Sequence, residues 1–146
     1  MWDKDLLCTT ALLATESMNL ATTLTDIQLQ SNDIPPQVFL TSYYSALSSD
    51  ERSCSDTQRL TASDIDWINS KEGELNTVIA SSIAPFSFAH YVPLDFTGHE
   101  LCSSDPWVQG TQAAAPFHPT AEGQDAIARA ILGSIRQTQG LTWVAR

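Results

Sequence analysis

His118 stands between an aromatic residue and a proline in the stretch APFHPTAEGQDAIARAI. A following proline disfavours α geometry, so the backbone at His118 is expected to be extended. Thr120 can then cap a helix that begins at about Ala121, its hydroxyl accepting a hydrogen bond from a first-turn N–H. An imidazole aimed by these two neighbours has two readings. It is a general base mounted at a helix N-terminus, or a turn residue that happens to be histidine.

The other residues able to do chemistry are fewer. His99 opens HELCS, and a helical zinc site of the HExxH type needs a histidine where Ser103 stands, so no metal site is expected. His99 reads as a loop residue bonded within its own loop, and His90 as a strand residue. Three cysteines, Cys8, Cys54 and Cys102, make an odd count with no CxxC pair. Cys54 and Cys102 both lie in polar, loop-like sequence, where a bridge between them fits an oxidising compartment; three free thiols are the alternative. Such a bridge would stabilise by on the order of 4 kcal/mol in the chain-entropy picture. Serine precedes aspartate at Ser49, Ser55, Ser63 and Ser104, but none of these pairs follows a glycine or a strand-to-turn signal.

Elements must position these groups, and the apolar spacing supplies them. Leu6, Leu13, Leu20, Leu24 and Ile27 form one stripe on a helix of about residues 5 to 30. SNDIPP breaks it, and QVFLTSYY reads as a strand buried on both faces. A serine-rich loop runs from Ser45 to Thr61. Ser63 can cap a second helix reaching about Ala84, with Trp67, Ile68, Leu75, Val78 and Ile79 turned inward and Pro85 ending it. FSFAHYVPLDF holds the next strand, followed by a long loop. The final helix repeats Ile127, Ile131 and Ile135, with Gly140 as its stop. Strands alternating with long helices imply an α/β fold whose strands run parallel through right-handed crossovers. Two strands are few for a stable sheet, so further strands or a larger α/β domain are expected.

The composition narrows the function classes. With 146 residues, 42% of them hydrophobic, the chain suits a single domain, residues 1–146. Seven basic against 17 acidic residues give a net charge of −10, which excludes nucleic acid and anionic membrane surfaces as partners. No apolar run approaches the roughly 18 residues of a membrane span, so no integral membrane segment is expected. Asp3 and Asp5 spoil a signal-peptide reading of the first residues.

In an open α/β sheet, function collects beyond the carboxyl ends of the strands. The loop there carries F-x-G-H-x-x-C, then P-W, then F-H-P-x-x-x-G-Q heading the last helix. This ordered set resembles the C-terminal half of secreted SGNH (GDSL-type) lipases and esterases, and the order of the cysteine loops, strands and helices extends the resemblance over nearly the whole chain. It implies part of a three-layer α/β/α, flavodoxin-like fold and an ester or lipid substrate without a cofactor. A nucleophilic serine and oxyanion glycine and asparagine lie in earlier blocks of the family, and only the late histidine maps here, onto His118. The resemblance therefore implies a chain that begins after those blocks, with the missing N-terminal half of the domain as partner of Cys8, and a secreted protein whose isolated C-terminal portion is inactive.

In the family an aspartate three residues before the histidine orients its ring; that position is Ala115. The Ala115 backbone carbonyl, Asp105 or Asp95 are the candidate substitutes, a carbonyl fixing the tautomer without supplying a full charge. Trp107 reads either as part of an acyl-binding lip or as a loop anchor. Two other function classes stand beside the hydrolase: a secreted, disulfide-stapled binding module without catalysis, and an intracellular α/β piece that packs on another chain.

Overall fold

The computed structural model describes residues 3–31, 34–48 and 54–140, with side chains from residue 9 onward. Five elements follow in order: α1 (Asp3–Gln30), β1 (Val38–Thr41), α2 (Ala62–Ile83), β2 (Ala89–Val92) and α3 (Ala121–Thr138). The order helix, strand, helix, strand, helix is the one that the spacing implies. The strands pair in parallel, Val38 opposite Ala89 through Thr41 opposite Val92, with α2 in the crossover. Among the described residues these are the two strands of the sheet. The α/β class and the parallel pairing are those expected from the alternation of strands and helices.

The chain divides into two compact units. One comprises residues up to Ser42 together with Glu74–Val92. Its core joins Leu24 of α1, Ile83 of α2 and Phe88 to Val38, Leu40, Ala89 and Tyr91. The two-residue period of a strand puts those four strand residues on one face. Phe39 and His90 stack on the opposite face, ring centroids 4.9 Å apart. Ser17 of α1 and Ser82 of α2 share a hydrogen bond of 2.8 Å. Threonines are tolerated along α1 because Thr15, Thr22 and Thr25 each donate to the carbonyl four residues back.

The other unit comprises Tyr43–Gly73 and the residues from Pro93 onward. Leu47, Ile65, Phe96, Leu101 and Val108 form its core, with Trp107, Ala126 and Ile127 packed against it. Cys54 and Cys102 are bonded as a disulfide, as their loop context suggests. Thr57, buried beneath that bridge, has its hydroxyl 3.4 Å from the Cys102 sulfur. The Cys8 side chain lies outside the described residues, as does Ser49.

Three local expectations change. The cap of α2 is Thr61, not Ser63: the Asp64 carboxylate accepts from the Thr61 N–H at 2.8 Å, and the Asp64 N–H returns to the Thr61 hydroxyl. This reciprocal arrangement outcompetes a lone serine two residues later. Trp67 is exposed; Ile65, two residues earlier and so about 200° away around the helix, takes the buried side. Strand β1 is half-buried along its length rather than enclosed on both faces.

Candidate active site

Residues 107–109 and 117–120 run antiparallel, with Val108 bridged to Pro119. The Gln109 N–H donates to the His118 carbonyl at 2.8 Å, and the Thr120 N–H donates to the Trp107 carbonyl at 2.8 Å. The Gln109 side chain adds a bond of 3.0 Å to the Pro119 carbonyl. His118 is thus held outside helical geometry, as the proline after it requires. Thr120 caps α3 at Ala121, its hydroxyl accepting from the Gly123 N–H at 3.2 Å. At the far end Gly140 takes φ 66°, the left-handed stop that glycine makes without strain. The His118 ring is exposed, at the entrance of α3.

The residue before it is unusual. Phe117 has φ 63°, a conformation that a bulky side chain adopts at a cost of about 1–2 kcal/mol. Two backbone bonds hold it there: its N–H donates to the Gln109 carbonyl at 3.0 Å, and its carbonyl accepts from the Tyr44 hydroxyl at 2.8 Å. Tyr44 is fixed in turn by stacking on Phe96, centroids 4.1 Å apart. Burial raises the Tyr44 phenol above its ordinary range, helped by the Glu72 carboxylate.

Each of the three candidates for orienting His118 has a bond other than one to its ring. The Ala115 carbonyl accepts from the His118 backbone N–H at 3.2 Å. Asp105 serves His99: the Asp105 backbone carbonyl is 2.8 Å from His99 Nδ1, and its carboxylate 3.3 Å. A carbonyl only accepts, so His99 Nδ1 carries the hydrogen. Asp95 accepts from the Thr97 N–H at 2.9 Å, and those Thr97 bonds, chiefly, hold its carboxyl below the usual range. The histidine with carboxylates around it is therefore His99. Its ring stacks on Trp107 at 3.6 Å and 7°, and Trp107 also meets Phe96 edge-on at 5.3 Å. Trp107 is thus packed between the His99 and Phe96 rings. His90 Nε2 donates to the Gln37 side-chain oxygen at 2.6 Å, a strand-edge contact. Among the described residues no three His, Cys, Asp or Glu side chains converge as a metal site would need. No described helix is long and apolar enough to cross a membrane.

A cavity of about 380 Å³ opens in the same unit. Ala46, Leu47, Leu60, Ile68 and Phe117 supply its apolar wall, and Asn69 and Glu72 its polar groups. Asn69 is spoken for, donating to the Leu47 carbonyl at 3.0 Å. Burial pushes the Glu72 carboxyl above the ordinary range.

Sequence reasoning passed over Phe117, Tyr44 and Gly123. An aromatic residue carries no signal for positive φ, and Tyr44 reads as a strand end. The glycine could have been noticed: it sits in the first turn of α3, where a β-carbon would come within 2.4 Å of the Trp107 carbonyl oxygen.

Two curated relatives match part of the chain. Lipase 1 of Streptomyces coelicolor is 43% identical over 61 residues, covering 39% of this chain and 23% of that protein. A lipase of Streptomyces rimosus is 40% identical over 60 residues, 39% of this chain and 22% of its own length. Two crystal structures share the fold. The extracellular lipase of Streptomyces rimosus superposes with a TM-score of 0.68 at 24% identity, and phospholipase A1 of Streptomyces albidoflavus NA297 with 0.70 at 23%. Each match covers 81% of this chain and 50% of the solved one. No protein-family profile matches the chain. It spans about half the length of the solved relatives and under a quarter of the curated ones. Over the portion these matches cover, the chain is similar in sequence to these lipases and shares the fold of the solved ones, which supports the resemblance to the SGNH lipase family.

Proposed function

We propose that this chain is the histidine-bearing portion of a secreted carboxylic ester hydrolase, acting on lipid or other ester substrates with His118 as general base. The observation that carries the reading is an exposed imidazole held by backbone bonds at the head of a capped helix. In this role Nε2 takes the proton of a serine hydroxyl as that oxygen attacks the ester carbonyl, then returns it to the departing alkoxide. On this reading the serine and the oxyanion donors are supplied by another segment.

Electrostatics act in two directions. The positive end of α3 favours the neutral ring that a base requires and opposes the imidazolium formed during attack. Glu122 places a carboxylate in the first turn of α3, which moderates that opposition. Asp105 and Asp95 are engaged around His99, so the reading is of a serine–histidine dyad without either of these carboxylates on the imidazole.

Fluorophosphonate labelling of the full-length gene product tests this reading. A labelled serine whose reactivity disappears in His118→Ala supports it. An unlabelled protein leaves the disulfide-stapled binding module as the better account.

A further inference from the structure

The imidazole of His118 is carried on a backbone whose peptide groups are held on both sides. The peptide that joins Phe117 to His118 has its carbonyl on the Tyr44 hydroxyl at 2.8 Å and its N–H on the Ala115 carbonyl at 3.2 Å. The next peptide has its carbonyl, that of His118, on the Gln109 N–H at 2.8 Å. A peptide group is planar, so holding its polar ends fixes the plane, and the planes flanking a residue set the direction of its Cα–Cβ bond. Among these bonds the one from Tyr44 is made by a side chain, and it comes from 73 residues earlier in the sequence. We propose that Tyr44 is a positioning residue for His118, its hydroxyl holding the peptide ahead of the histidine in the plane that aims the imidazole. The consequence for turnover rests on the hydrolase reading of His118, whereas the consequence for structure rests on the hydrogen bond alone.

Tyr44 is suited to the part. Its ring is stacked at 4.1 Å on Phe96, a buried core residue, so the hydroxyl is delivered from a fixed platform. Burial, helped by the Glu72 carboxylate, keeps the phenol protonated beyond its ordinary range, and it remains a donor wherever a histidine titrates.

The bond also governs the residue between them. Phe117 is left-handed at φ 63°, and the net worth of one hydrogen bond is of the same size as the cost of that conformation. Without the hydroxyl, geometries of negative φ compete at Phe117, and each of them turns the His118 peptide to a new direction. The Phe117 ring is 44% exposed, so core packing does not account for the strain maintained there.

Tyr44→Phe removes the hydroxyl and keeps the stacked ring. NMR on the 146-residue chain reads the structural consequence. The strong intraresidue NOE between amide and α protons that a positive φ produces should weaken at Phe117, and the His118 ring signals should shift or broaden, while the methyls of Leu47 and Val108 stay in place. In a protein that also carries the nucleophilic serine, kcat for a p-nitrophenyl ester should fall about tenfold with KM within about twofold, the pattern of a misaimed base. Tyr43→Phe, the same change at the exposed neighbour, should leave both constants unaltered. Adding Tyr44→Phe to His118→Ala should cost nothing further, because the hydroxyl acts through a ring that is gone. An equal loss in both backgrounds or an unchanged NOE at Phe117 would overturn the proposal. So would a Tyr44→Phe chain that circular dichroism shows unfolded, since the bond would then be structural. Full turnover in His118→Ala would remove the hydrolase reading and the Tyr44 role with it, whereas turnover lost in His118→Ala and kept in Tyr44→Phe would overturn this role alone.

Discussion

The carbonyl oxygen of Trp107 faces Gly123 so closely that a β-carbon on Gly123 would stand 2.4 Å from it. That oxygen cannot retreat freely, since it accepts the Thr120 N–H at 2.8 Å and belongs to the bridge that carries His118. Glycine is what lets α3 begin against this strand.

Replacing a helical glycine by alanine ordinarily stabilises by about 0.5–1 kcal/mol. At Gly123 the sign should reverse, with Gly123→Ala losing about 2 kcal/mol because backbone must move. Gly133, in the same helix, has nothing within 4 Å of a built β-carbon, so Gly133→Ala should show the ordinary gain. Urea unfolding followed by circular dichroism compares the two, and equal shifts would contradict the close approach.

Phe117 offers a second reversal. With φ 63°, alanine there keeps the strain and loses the ring, whereas glycine relieves the strain. Phe117→Gly should therefore be about 1 kcal/mol more stable than Phe117→Ala, opposite to the order at a position with ordinary φ. If alanine proves the more stable of the two, the left-handed conformation is wrong.

Acid should loosen the loops before it touches the cores. The Thr111 hydroxyl, at 2.5 Å, and N–H hold the Asp56 carboxyl below its usual range; Thr61 and Thr97 do the same for Asp64 and Asp95. A carboxyl with a folded-state value below the unfolded one stabilises above the unfolded value, near pH 4, and loses that contribution as pH falls toward the folded one. The melting temperature should be flat from neutrality to about pH 5 and then decline, with a shallower decline in Asp56→Asn. A profile unchanged by that substitution would count against the Thr111 bonds.

How much could be read beforehand follows from which interactions are local. Helix spans, the Thr120 cap and the Gly140 stop were legible because caps and apolar spacing act within a few residues. So was the Cys54–Cys102 bridge, whose partners share a loop context. The capping of α2 by Thr61 was local too, but it depended on recognising Asp64 as the reciprocal partner. Beyond reach were the pairing of Asp105 with His99, the Tyr44 bond to the Phe117 carbonyl and the cavity wall. Each joins residues through tertiary geometry that no spacing encodes.

The disulfide closes a loop of 48 residues, for which chain entropy gives about 4 kcal/mol. Reduction, or Cys54→Ser with Cys102→Ser, should lower stability by an amount of that order, and peptide mapping without reductant should recover the Cys54–Cys102 link. A recovered crosslink from Cys8 to either cysteine would show a different framework.

The two loop histidines should separate chemistry from architecture. The His118 ring is exposed and bonds to none of the described side chains, so His118→Ala should leave the melting temperature nearly unchanged. On the proposed hydrolase reading, in a protein that also carries the nucleophilic serine, it should cut kcat/KM for a p-nitrophenyl ester by at least about a hundredfold, the contribution of a positioned base. His99 is the opposite case. Its ring stacks on Trp107 at 3.6 Å and is tied to Asp105, so His99→Ala should lower the melting temperature by several degrees, a loss on the order of 1 kcal/mol, while most turnover survives. The reasoning runs through Trp107: its carbonyl anchors Thr120, so losing the stack softens the bridge around His118 without removing the base. Comparable activity losses in the two variants would mean that the carboxylate-bearing histidine shares the proton transfer, and His118 could no longer be assigned that role alone.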